Sequence, residues 1–157
     1  SNPLTTQYYS ATPYLLGDRP IQFSLRPTDD TQEPIPASRD YLREAMARTL
    51  QKGEASFEFL VRFQSAAKEP IEDPRIAWKS PWQSVATLRI PRQSFLSPAQ
   101  LEFAENLSFT SWHSLPQHRP LGGVNRARKK VYLEISNYRH RENGVPRSEP
   151  TGDETFE

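Results

Sequence analysis

The sequence predicts an α+β fold with antiparallel strands in its first two thirds and helices in its last third. Three observations carry this. Apolar residues alternate strictly at Ile21, Phe23, Leu25 and again at Phe57, Phe59, Val61, Phe63, the period of a pleated strand. Helical spacing bounded by start and stop residues recurs at 39–52, 98–106 and 125–142. At 157 residues the chain has the length of one domain, and its 15 prolines against 6 glycines mark the loops between these stretches.

The elements follow in order. Tyr8-Tyr9 and Pro13-Tyr14-Leu15-Leu16 lead into a turn at Gly17-Asp18, so residues 7–27 read as a hairpin. Residues 27–36 hold three prolines and form a loop that Ser38 ends as a helix N-cap. In the helix from Arg39 to Lys52, Leu42, Ala45, Met46 and Leu50 share a face, and Gly53 is the stop. The Phe57–Phe63 strand carries three phenylalanines on one side. That side must meet a helix, the inside of a barrel or a large flat ligand. Residues 66–83 carry Trp78 and Trp82 among prolines and read as an arm wrapped on the fold, since a free linker gains nothing from two indoles. Ser84 to Ile90 is a third strand, ended by Pro91.

Ser97-Pro98-Ala99-Gln100 is a capping box with proline at the first helical position. Leu101, Phe103, Ala104 and Leu107 give that helix an apolar side. An aromatic loop at 108–124 ends in Gly122-Gly123, after which Asn125 caps a last helix that Asn143-Gly144 stops. Residues 1–144 are expected to form the domain and 145–157 a polar tail, disordered or draped on a surface.

Composition removes whole classes of function. With no cysteine there is no disulfide framework, thiolate metal site or cysteine nucleophile. Twenty Lys+Arg against nineteen Asp+Glu leave +1, too little basic surplus for a dedicated nucleic-acid binder. No apolar run approaches the roughly 18 residues of a membrane span, and no secretory leader is visible. Cytoplasm and periplasm both suit such a chain. The three histidines, His113, His118 and His140, all lie in the last third and read as surface or hydrogen-bonding groups. Glu102 and Glu105 read as a solvated helix face.

The last helix carries the most specific pattern. Arg128, Tyr132, Ile135 and Arg139 fall at i, i+4, i+7 and i+11, on one face. Two arrangements satisfy that spacing. One is an arginine packed over an aromatic ring at the surface. The other is a phenolate metal ligand stabilised by a neighbouring guanidinium, as tyrosine serves haem iron in catalase.

Several segments carry a resemblance in the same order along the chain. They are Tyr8-Tyr9-Ser10-Ala11-Thr12-Pro13-Tyr14 through Gly17-Asp18, Ser56 to Phe63, and Phe103-Ala104-Glu105-Asn106-Leu107-Ser108-Phe109. Arg128-Lys129-Lys130-Val131-Tyr132 and Tyr138-Arg139-His140-Arg141 complete the set. Together they resemble the C-terminal, proximal half of the haem catalase superfamily, and most the small bacterial catalase-like peroxidases. The resemblance implies half of a catalase-type β-barrel followed by helices carrying the proximal haem ligand. It implies haem b with Tyr132 as axial ligand to ferric iron, Arg128 holding that phenol as phenolate, and Arg139 on a propionate.

Leu133-Glu134-Ile135-Ser136 departs from the Pro-Asp-Thr run of ordinary catalases. The family's distal histidine and asparagine precede the matched segments, so no catalytic residue is expected in this chain. The implied function is a haem-dependent peroxidase acting on hydrogen peroxide or organic hydroperoxides, completed by a complementary N-terminal half, with self-association allowed. The alternatives are a non-catalytic haem-binding or interaction domain and a hydroperoxide-rearranging relative of the allene oxide synthases.

Overall fold

The computed structural model describes residues 2–31, 37–65 and 69–156. Its strands are β1 (Tyr8–Tyr9), β2 (Tyr14–Leu16), β3 (Arg19–Pro27), β4 (Ala55–Phe63) and β5 (Gln83–Ile90). Its helices are α1 (Tyr41–Lys52), α2 (Pro98–Glu105) and α3 (Gly123–Asn143), with 3-10 turns at Pro3–Thr5 and Pro116–His118. The strands make one open antiparallel sheet with β3 and β4 at its centre. β5 borders β4, while β1 and β2 pair with opposite ends of β3, Tyr8 opposite Leu25 and Tyr14 opposite Ile21. The expected hairpin is β2–β3, closed by Gly17-Asp18, with Gly17 at a φ of 67° that suits glycine.

The sheet has two unlike faces. On one, Phe57 packs with Leu4 and Leu50, joined by Leu25, Met46 and Ala55. Burying a phenylalanine this way contributes about 1.5–3 kcal/mol. Farther along that face Phe59 stacks on Phe23 at 5.6 Å, and Phe23 meets Tyr14 at 5.1 Å. The aromatic face of β4 thus meets helix α1 at one end and other rings along its length.

The opposite face carries Arg62, which donates to Gln22 and to the Trp78 carbonyl and lies 4.5 Å from the Trp82 ring centroid. The tryptophan arm covers it as expected: Trp78 is 2% exposed. Buried Glu69 fastens the arm. Its carboxylate accepts from the Ser65 N–H (2.6 Å) and hydroxyl (3.0 Å) and from the N–H groups of Lys79 (2.6 Å) and Ser80 (3.3 Å).

β5 is exposed along nearly its whole length. Phe59 opposes Ala86 and Leu60 opposes Ser84, so Val85 is an extra residue that bulges the edge strand. A bulge on an exposed edge discourages pairing with other chains.

Two local expectations are corrected. Helix α1 begins at Tyr41 with Asp40 as N-cap, not at Ser38. The Ser38 hydroxyl is held by Glu44 Oε1 (2.6 Å) and accepts from the Asp40 N–H (3.2 Å), so it braces the approach to the helix instead of capping it. Of the expected face of α1, Ala45 and Leu50 are buried and Met46 packs against the core, while Leu42 is exposed; Ala47, outside that face, is buried as well. The loop residues 32–36 lie outside the described residues.

The capping box of α2 forms as expected. The Gln100 N–H donates to the Ser97 hydroxyl (3.2 Å) and the Ser97 N–H to the Gln100 side chain (3.1 Å). Its apolar side nevertheless buries nothing, because no sheet face reaches it. Phe103 meets the Phe156 ring of the tail, edge-on at 5.2 Å.

Candidate functional site

Helix α3 carries all four residues of the expected face, and its first turn decides how it is anchored. Gly122 is its N-cap at a φ of 85°. A Cβ there would stand 2.6 Å from the Ile71 carbonyl oxygen, so glycine is required twice over. Glu72 supplies the negative charge that a helix N-terminus favours. It accepts from the Gly123 N–H (2.8 Å) and from both terminal nitrogens of Arg126 (3.0 and 2.9 Å). Those arginine bonds hold the Glu72 carboxyl below its ordinary pKa.

Asn125 is not the N-cap. It lies inside the first turn, fully buried, and joins the helix to the chain ahead of β2. Its amide donates to the Pro13 (3.1 Å) and Leu121 (2.8 Å) carbonyls, and its side-chain oxygen accepts from the Thr12 hydroxyl (3.2 Å) and Arg128 (3.3 Å). Its own carbonyl accepts from the Trp112 indole (2.8 Å). The turn that presents Thr12 holds Ala11 at a φ of 56°, left-handed backbone that costs an alanine about 1–3 kcal/mol. No sequence signal isolated this joint, since an asparagine after Gly-Gly reads first as a cap.

Beyond the joint, α3 is poorly covered. Only Asn125 and His140 are buried in its 21 residues, while Val131, Leu133, Ile135 and Tyr138 stay exposed. Tyr132 is 41% exposed, and among the described residues no hydrogen bond involves its phenol. Its ring lines two adjoining clefts, which also share Ser108, Phe109 and Ser136. One, of about 200 Å³, adjoins Phe109, Trp112, Lys129 and Leu133. The other, of about 300 Å³, adjoins Leu107, Ile135 and Arg139.

Arg128 turns away from both. It donates to the Thr12 hydroxyl (3.2 Å) and Asn125. Arg139 reaches the loop before α3 and donates to the Leu107 carbonyl.

The histidines divide three ways. His140 is 6% exposed and bonds the Ser108 hydroxyl at 2.9 Å; Ser108 in turn meets Ser136 at 2.6 Å, and the other ring nitrogen of His140 is buried without a partner. His113 faces Glu149 of the tail at 3.6 Å. His118 lines an apolar cleft beside the Tyr14–Phe23–Phe59 stack. Glu102 and Glu105 are exposed, as expected. Among the described residues no three His, Asp or Glu side chains converge as a metal-ligand set. Nor, among them, is any helix long and apolar enough to cross a membrane.

The fold itself is shared with catalases. Catalase A from Saccharomyces cerevisiae superposes with a TM-score of 0.75 at 16% identity, over 100% of this chain and 37% of its own. A fungal catalase superposes at 0.72, also at 16% identity, over 90% of this chain and 32% of its own. The chain therefore has the fold of part of a catalase, and spans about a third of the length of each. No protein-family model and no curated protein matches the sequence.

The donor set can be tested against a haem. Of the residues expected to hold it, Tyr132 and Arg139, about two helical turns apart, line the same cleft. Arg128 lines neither cleft and directs its Nη1 to the Thr12 hydroxyl and the Asn125 side chain. Neither cleft exceeds the lower end of the roughly 300–1,000 Å³ usual for ligand pockets.

Proposed function

We propose that this chain is the proximal part of a catalase-fold haem oxidoreductase of the small peroxidase kind. It would act on hydrogen peroxide or organic hydroperoxides once a complementary N-terminal half supplies the distal side. The observation carrying this reading is the Tyr132 phenol, unpartnered and accessible on a helix of a chain with the catalase fold. Tyr132 would bind the iron and Arg139 a propionate carboxylate, as a bidentate cation suits such a group. When bound, haem supplies the redox centre that accepts the peroxide's oxidising equivalents. The chain's own part is to fix the phenol's position through α3, whose N-terminus the Asn125 joint holds.

The test is a ferric haem titration of the protein together with its complementary half, followed by visible absorption. The wild type should give a tyrosinate-type spectrum and Tyr132→Phe should lose it. Because the phenol makes no hydrogen bond, the variant should keep its stability within about 0.5 kcal/mol. No Soret change in a folded wild-type sample overturns the assignment.

A second reading is favoured by the commitment of Arg128 to the joint and by the bare apolar residues of α3. In it the chain is a non-catalytic interaction domain whose α3 surface is covered by other protein. A sample that binds the complementary half by calorimetry while staying silent to haem supports it.

A further inference from the structure

The smaller cleft beside Tyr132 has chemistry that the haem reading does not use. Its wall is aromatic and aliphatic, built from Phe109, Trp112, Tyr132 and Leu133, and its rim is cationic. Lys129 places its ammonium 4.7 Å from the Trp112 ring centroid. Arg147 and His113 complete the rim. One carboxylate already sits there: Glu149 of the C-terminal tail lies 3.6 Å from both His113 Nδ1 and Arg147 Nη2. Those distances exceed a direct charge-assisted hydrogen bond of about 2.7–2.9 Å, and all three side chains are solvent-accessible, so the contact is weak.

An aromatic slot edged by cations, with an internal carboxylate loosely at its edge, matches one ligand class. We infer that this cleft binds a small aromatic monocarboxylate, its ring against Trp112 and Leu133 and its carboxylate on the cationic rim in place of Glu149. The tail then acts as a tethered competitor. A volume of about 200 Å³ limits the occupant to a single-ring acid. The inference is read without iron, on a cleft that shares Tyr132 and Phe109 with the one Arg139 lines but has Trp112, Lys129 and Arg147 to itself.

The experiment titrates the full chain with benzoate and follows tryptophan fluorescence, with Trp112→Phe identifying the reporter among three indoles. Benzoate should bind with a Kd on the order of 1 mM, as suits a fragment of its size. Glu149→Gln should tighten binding about two- to fivefold, the range a weak surface ion pair allows, and Lys129→Ala should weaken it. Glu149→Gln changes an exposed tail residue that makes only weak ion pairs, so matching far-ultraviolet circular dichroism should confirm its fold. Benzyl alcohol binding as well as benzoate would show a purely apolar slot and overturn the inference. So would unchanged or weaker benzoate binding in Glu149→Gln.

Discussion

The sheet region and the α3 region of this molecule solve the problem of burial in opposite ways. In the sheet, apolar side chains find partners within the chain. Phe57, Leu60 and Val61 of β4 are each 3% exposed or less, with α1 and the tryptophan arm on the two faces. In α3 most apolar side chains stay exposed, and the helix is held by polar bonds at its first turn and by His140 near its end. The sheet draws its hold from apolar packing, whereas α3 draws its anchoring from hydrogen bonds at its two ends.

That contrast can be broken most strongly from the sheet side. Phe57→Ala should cost about 3–5 kcal/mol, because it empties the contact between β4, α1 and Leu4. Chemical denaturation should show the loss as one cooperative transition; a change below 1 kcal/mol would mean that this cluster is not the core.

The joint comes next. Asn125→Ala removes four side-chain hydrogen bonds, to Thr12, Arg128 and the Pro13 and Leu121 carbonyls, at a cost of about 2–3 kcal/mol. Hydrogen exchange should then quicken in α3 while β3 and β4 keep their protection. Uniform loss of protection across both regions would show that the two are not separable.

A third effect is a pH dependence in the arm. Glu69 has its pKa lowered from an ordinary 4.5 to about 2, first by the Ser65 N–H and then, against the cost of burial, by the Lys79 N–H, the Ser65 hydroxyl and the Ser80 N–H. A depressed carboxyl favours the folded state above its unfolded pKa. This contribution is therefore whole above about pH 4.5 and fades as pH falls toward 2. Trp78 fluorescence should report loosening of the arm in that window, and Glu69→Gln should abolish the acid-dependent component. An arm whose acid response is the same in the variant would assign the titration to another group.

Much of the architecture was legible in the residues because its signals are local. Alternation in β4, the Gly17-Asp18 turn, the Ser97–Gln100 box and Gly144 at a φ of 64° each depend on neighbours a few positions away. Ser38 and Asn125 misled for the same reason. Both have cap chemistry in a cap-like place, but Glu44 and the Pro13–Thr12 segment offered better partners.

The sequence by itself determined the order of strands and helices, the lack of cysteine chemistry and the placing of Arg128, Tyr132, Ile135 and Arg139 on one helix, since backbone periodicity sets these. Only the tertiary structure decided that Arg128 serves Thr12 and Asn125, that Tyr132 lines two adjoining clefts, and that the tail brings Glu149 to one of them. Such choices join residues far apart in the chain, Thr12 to Asn125 across 113 positions. Which partner wins there depends on which polar groups folding has stripped of water, and periodicity carries no record of that.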